Sequence, residues 1–218
     1  MSSTDSPVHL GIVGTNFISD LLCDAAKRAE IPLTAVFSRK RETGEDFAKK
    51  HGIPAVFDDF DDFCKSELFN AAYVASPNFC HFSQSAALLA AGKHVLCEKP
   101  LAFTEEEART AYGKAKQKEL VLMEAIKTAY CPGFIQLIGV VQSGIIGQVY
   151  DVEACFTKLI NPPSREWSGK YAGSFAELAS YPLLGIIKLL GTDYKSVDFE
   201  RFRDGNGMDF YSKAYCHY

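Results

Sequence analysis

The chain has no long apolar run, no block of one charge sign, no paired-cysteine motif and no cluster of histidines. Each absence removes a class of function. A membrane-spanning helix needs about 20 predominantly apolar residues, and the apolar stretches here fall well short of that. Lys, Arg, Asp and Glu are interspersed at a net charge of −4, which leaves no basic surface for nucleic acid and none for a membrane. The seven cysteines (Cys23, Cys64, Cys80, Cys97, Cys131, Cys155 and Cys216) are odd in number and scattered without a CxxC pair. They read as small core residues in a reducing compartment, not as disulfides or metal ligands. The five histidines add no ligand set, so no metal site is expected. The N-terminal MSSTDSP lacks a basic and hydrophobic leader, so the default location is the cytoplasm. Neither an internal repeat nor a low-complexity segment is present.

What the 218 residues do contain is an ordinary 47% of apolar residues, enough for a substantial core, and a regular alternation of short apolar runs with amphipathic stretches. The first unit is the most informative. Val8, Leu10, Ile12 and Val13 form a run short enough for a buried parallel strand. It stops at Gly14, and Phe17, Ile18, Leu21 and Leu22 open an amphipathic helix. A strand, a tight turn and a helix in that order begin a dinucleotide-binding fold, where N–H groups at the helix start hold a pyrophosphate. Of the G-x-G-x-x-G fingerprint only Gly14 survives, in Gly14-Thr15-Asn16-Phe17-Ile18-Ser19. Asn16 tolerates an unusual backbone angle and Ser19 is small, so these residues are compatible with the turn. A strand–helix turn without a ligand is the competing reading.

The second strand, Leu33–Phe37, ends in Ser38-Arg39-Lys40-Arg41. In this fold a carboxylate at that point binds the ribose hydroxyl of NAD, whereas arginine accommodates the 2′-phosphate of NADP. A hydroxyl followed by three cations therefore favours NADP over NAD. The alternative is a solvated basic helix start, which the helix dipole opposes. A polar helix from Arg41 to His51, a strand at Ala55–Phe57 and a helix opened by Asp58–Asp62 follow, the carboxylates serving as caps. Further strands are expected at 71–75, 94–97 and 121–125, with helices at 79–91 and after Thr104, whose first turn is Glu105-Glu106-Glu107. This is the pattern of a doubly wound parallel sheet.

Beyond about residue 128 the rhythm changes. A helix is expected at 132–143, a strand of a larger open sheet at 148–159, and a Pro/Ser/Gly-rich loop at 161–173 carrying Trp167. An apolar helix interrupted by Pro182 spans 174–190, and strand-like runs cover 194–203 and 208–218. The expectation is thus a Rossmann-type α/β domain over 1–126, followed by a partial α+β domain over 127–218 with an open, mainly antiparallel sheet.

Five segments appear in the order of one family: VGTNFIS, the SRK after the second strand, ASPNFCH, AGKHVLCEKPLAFTEEEA and GSFAELASYPL. The chain resembles the NAD(P)-dependent oxidoreductases related to glucose–fructose oxidoreductase and inositol dehydrogenase, the Gfo/Idh/MocA family. The likeness covers nearly the whole chain, and the EKP tripeptide after the fifth strand is its most specific element. The resemblance implies that Lys99 is the catalytic lysine, that Glu98 positions its loop, and that Pro100 carries a cis bond. An ammonium at the C-terminal edge of a parallel sheet can polarise a carbonyl or lower a hydroxyl's pKa.

The resemblance also places Ser76, Pro77, Asn78 and His81 beside the cofactor, with His81 either touching it or orienting the loop. Glu177 and Tyr181 match a substrate-facing Asp-x-Gly-x-Tyr pattern with Glu for Asp and Ala179 for Gly; the Tyr181 phenol would exchange the substrate's hydroxyl proton. Implied together are a dehydrogenase or reductase acting on a sugar, polyol or dihydrodiol, and homo-oligomers formed through the second sheet. Members of the family usually continue for about another hundred residues, so the chain reads as a fragment, a truncated product, or one whose missing strands come from a partner. A cofactor-binding module without catalysis, acting as a sensor or assembly partner, is the rival from another class.

Overall fold

The computed structural model describes residues 7–159 and 171–218. Trp167 and most of the expected Pro/Ser/Gly-rich loop lie outside the described residues. The chain divides into two compact units, Met1–Ala125 and Ile126–Tyr218.

The first unit carries β1 (Leu10–Val13), α1 (Phe17–Arg28), β2 (Leu33–Phe37), α2 (Arg41–His51), β3 (Ala55–Phe57), α3 (Phe60–Lys65), β4 (Ala71–Val74), α4 (His81–Ala90), β5 (His94–Cys97), α5 (Glu105–Gln117) and β6 (Leu122–Glu124). A 3₁₀ turn, Asn78–Cys80, leads into α4. The strands form one parallel sheet in the order β3-β2-β1-β4-β5-β6. This is the doubly wound arrangement expected from the alternation of elements, and it reverses direction between β1 and β4.

Alternation along each strand sends side chains to two cores. Val13, Phe37, Val74, Val95 and Cys97 pack with Phe63, Leu88, Leu89 and Ala111 on the face of α3, α4 and α5. Leu10, Ile12, Val36 and Tyr73 pack with Cys23, Phe47 and Ala48 on the face of α1 and α2. Each fully buried aliphatic side chain contributes about 1.5–3 kcal/mol.

Helix ends follow local chemistry. Asp59 caps α3 by accepting from the Asp62 N–H at 2.9 Å, as its acidic run predicts. Thr104 caps α5 through the Glu107 N–H, while the Glu107 carboxylate accepts from the Phe103 N–H at 3.0 Å. The cysteines are divided between core and surface. Cys23, Cys64 and Cys97 are buried, but Cys131 and Cys155 are exposed, so not all seven are core residues. Burial pushes the thiols of Cys23 and Cys64 up to about 11 and that of Cys97 to about 12, so they stay protonated and inert at neutral pH.

The second unit holds α6 (Pro132–Gln142), α7 (Ser174–Leu178), α8 (Ser180–Leu190), β7 (Ser196–Arg203) and β8 (Asp209–His217). Strands β7 and β8 form an antiparallel pair. The strand expected at 148–159 is not formed: the segment has the right alternation but no ladder partner among the described residues. Its Phe156 ring instead stacks on Tyr181 of α8 at 4.8 Å. The expected helix break at Pro182 falls upstream, at Ala179. Proline removes the N–H owed to the carbonyl four residues earlier and crowds it. For Pro182 that carbonyl is Leu178, where α7 ends, and Pro182 itself sits in the first turn of α8, where no N–H partner is needed. Among the described residues no helix is long and apolar enough to cross a membrane.

Asp20 of α1 holds α2 by accepting from Lys50 Nζ at 2.8 Å and facing His51 Nε2 at 2.6 Å. The Lys50 hydrogen bond, then that of His51, keeps this carboxyl below its ordinary 3.8. Its contribution to stability is therefore fully present above 3.8 and is lost as pH falls below that value through the lower value of the folded state. Asp20→Asn should lower the melting temperature near neutral pH, and thermal melts across an acid series should show the gap from wild type closing below about pH 3.8.

Candidate functional site at the carboxyl edge of the parallel sheet

The registers bring the strand ends level. Val13 pairs with Phe37 and with Val74, Val74 with Cys97, and Cys97 with Glu124. The residues that follow, among them Gly14, Ser38, Ser76 and Glu98, therefore emerge along one edge. The reversal between β1 and β4 opens there the crevice that ligands occupy in open α/β sheets.

At the β1–α1 turn the backbone passes close to β4. Gly14 has φ +98°, and a Cβ on it would lie 2.9 Å from the Ala75 carbonyl oxygen, so only glycine fits. Asn16 takes an ordinary extended conformation and acts as the helix cap. Its Oδ1 accepts from the N–H groups of Ile18 at 2.8 Å and Ser19 at 3.2 Å, and its Nδ2 donates to the Ala75 carbonyl. The tolerance for an unusual angle is thus not used at Asn16. The N–H groups of Thr15, Asn16 and Phe17 meet no acceptor among the described residues, and Ser19 is fully buried beneath the turn. Unpaired N–H groups at the start of α1, beside an obligatory glycine, fit a pyrophosphate.

At the end of β2, Ser38 is buried and its N–H donates to the Phe57 carbonyl. Arg39 and Lys40 are exposed, and neither has an ion-pair partner among the described residues. Arg41 differs: its guanidinium pairs with Glu45 and Asp58, both at 3.1 Å. Two of the three cations are therefore available to an anion, at a helix start whose cap residue, Lys40, makes no side-chain capping bond.

At the ends of β4 and β5 the structure joins two segments. Pro77 precedes the Asn78–Cys80 turn, and Asn78 is buried. His81 is 1% exposed. Its Nε2 lies 2.8 Å from the Ser76 carbonyl and its Nδ1 2.8 Å from the Pro100 carbonyl, so it spans the two loops. The Lys99–Pro100 bond is cis. Tyr73 and Glu124 also hold this loop, and neither was singled out from the sequence. The Tyr73 hydroxyl donates to Glu98 Oε1 at 2.6 Å, and Glu124 Oε1 accepts from the Leu101 N–H at 2.9 Å. Burial, then the bond to Glu98, raises the Tyr73 phenol well above its usual range, so it remains a donor. The signal for it was present: a tyrosine in a buried strand needs a partner for its hydroxyl.

Glu177 and Tyr181 belong to the second unit, four residues apart across the α7–α8 junction, an offset that places two residues on one face of a helix. Glu177 is buried. The first-unit residues gather on one sheet edge.

The Gfo/Idh/MocA family model, described as an oxidoreductase family with an NAD-binding Rossmann fold, matches residues 8–126. The chain belongs to this family. Its first unit is an NAD(P)-binding Rossmann domain. Among its relatives, the NADP(+) scyllo-inositol 2-dehydrogenase IolU of Bacillus subtilis is 41% identical over 131 residues, covering 60% of this chain and 40% of its own. A trans-1,2-dihydrobenzene-1,2-diol dehydrogenase of Sus scrofa is 32% identical over 186 residues, covering 84% and 55% respectively. The chain thus spans about half the length of these curated relatives. The 3-ketoreductase KijD10 of Actinomadura kijaniata, solved with TDP-benzene and NADP in an open conformation, superposes with a TM-score of 0.81 at 24% identity, covering 96% of this chain and 65% of that one. That likeness carries the fold alone.

Gly14→Ala should both strain the turn and intrude on Ala75, costing about 1–3 kcal/mol. Thermal melts with and without NADP should show a lower melting temperature and a loss of the ligand-induced rise. A variant that melts and responds like wild type would contradict this account of the turn.

Proposed function

We propose that the protein is an NADP-dependent oxidoreductase acting at a secondary alcohol or hemiacetal carbon of a sugar, polyol or dihydrodiol. The observation that carries this reading is the single edge of the sheet on which Gly14–Phe17, Ser38–Lys40, Ser76–His81 and the Lys99 loop emerge together. The N–H groups of Thr15, Asn16 and Phe17 would hold the pyrophosphate, and Ser38, Arg39 and Lys40 the 2′-phosphate, since arginine and lysine both pair with phosphate oxygens. The family resemblance supports Lys99 as the group that polarises the substrate oxygen, Tyr181 as the proton-exchanging phenol and Glu177 as a substrate-positioning carboxylate. Bound at this edge, the nicotinamide cofactor supplies hydride exchange. The relatives named for NADP, scyllo-inositol and a dihydrodiol support the cofactor preference and the substrate class. Association into homo-oligomers through the β7–β8 sheet belongs to the same proposal.

Two measurements test the two halves of the reading. Titration of NADP and NAD should give tighter NADP binding in wild type, and Arg39→Ala should weaken NADP by roughly ten-fold with little effect on NAD; equal affinities would remove the NADP assignment. Lys99→Met should abolish NADPH formation from scyllo-inositol or trans-1,2-dihydrobenzene-1,2-diol while cofactor binding stays measurable. Turnover retained in that variant would remove Lys99 from its role. A wild-type chain that binds NADP but turns over no sugar, polyol or diol would favour the non-catalytic module.

A further inference from the structure

The loop that carries Lys99 is fastened on both sides of that residue by the strands flanking β5. On one side Tyr73, from β4, donates its hydroxyl to Glu98 Oε1 at 2.6 Å, and Glu98 Oε2 accepts from the Lys99 backbone N–H at 3.3 Å. On the other side Glu124, from β6, accepts the Leu101 N–H at 2.9 Å through its carboxylate. His81 completes the set at the Pro100 carbonyl. Tyr73 is 2% exposed and Leu101 4%, so one anchor and the residue held by the other are seated in packed core, while Glu124 is half-buried. Tyr73 lies opposite Leu96 and Glu124 opposite Cys97, which makes the anchorage part of the sheet register.

We propose that Tyr73 and Glu124 are positioning residues for Lys99: a clamp, built from the two strands neighbouring β5, that holds the Lys99 backbone in one place before any ligand arrives. This inference rests on the proposed role of Lys99. The physical ground is that a reacting group gains from being held in place, and a displacement of about 1 Å can cost on the order of 100-fold in rate. Hydrogen bonds to charged groups are shorter and stronger than neutral ones, and both anchors use a carboxylate. Lys99 extends from a backbone held through Glu98 and Leu101, so its side chain starts from a fixed point.

The test begins with the full chain free of cofactor. Tyr73→Phe keeps the buried ring and removes the hydroxyl; Glu124→Leu keeps bulk and removes the acceptor; Glu124→Gln restores an acceptor. Amide hydrogen exchange should speed by roughly ten-fold or more at Lys99 in the first variant and at Leu101 in the second, with the amides of β1 and β4 unchanged. Glu124→Gln should return Leu101 close to wild type. With NADP and scyllo-inositol or trans-1,2-dihydrobenzene-1,2-diol, the first two variants should lose about 10- to 100-fold in kcat while KM for NADP changes less than about three-fold. Wild-type exchange at Lys99 and Leu101 in both variants would overturn the clamp. So would wild-type kcat in both variants where Lys99→Met is inactive. If Lys99→Met turns over normally, the reading of Lys99 fails instead, and exchange alone decides whether the clamp exists.

Discussion

The level ending of parallel strands is the constraint on which the rest depends. Because Val13, Phe37, Val74, Cys97 and Glu124 stand side by side across the register, the first residues beyond each strand share one edge whatever their separation in sequence. Gly14 is tied to β2 there by its N–H donating to the Phe37 carbonyl, and Ser38 to β3 by its N–H donating to the Phe57 carbonyl. The Ala75 N–H donates to Val13 and the Glu98 N–H to Val74 in the same manner. The ladder thus extends one residue past the strands, and the first residue of each loop is placed by the sheet itself.

Polar anchorage then takes over where the ladder stops. Asn16 ties α1 to Ala75, His81 ties the Ser76 segment to Pro100, and Tyr73 and Glu124 tie the Lys99 loop to β4 and β6. These bonds lie at the rim of two apolar cores, where partial burial makes an unpaired polar group costly. Loss of one partner therefore strands the other, which gives each tie more leverage over loop position than its net stabilisation suggests.

Much of the first unit was legible because its signals are local. Apolar runs of four or five residues marked β1, β2, β4 and β5; Thr104 and Asp59 marked helix starts; Gly14 marked the turn. That the Tyr73 hydroxyl needs a partner was legible, but which partner was not, since Glu98 lies 25 residues on and becomes adjacent only through the β4–β5 pairing. The capture of Arg41 by Glu45 and Asp58 was hidden for a similar reason, Asp58 being 17 residues away. In the second unit the alternation at 148–159 was real, but a strand exists only with a ladder partner, and none is present among the described residues. The break before Pro182 was displaced because proline acts on the carbonyl four residues earlier, not on its own position.

On the proposed function, the carboxyl edge of the six-stranded sheet is a prebuilt NADP site with Lys99 at its catalytic end. Backbone amide chemical shifts followed during an NADP titration of the full chain test it most directly. The account predicts saturable shifts concentrated at Gly14–Ser19, Ser38–Lys40, Ser76–His81 and Glu98–Leu101, with the outer face of α5 silent. Saturation without shifts at those four segments, or shifts centred on another surface of the first unit, would contradict it.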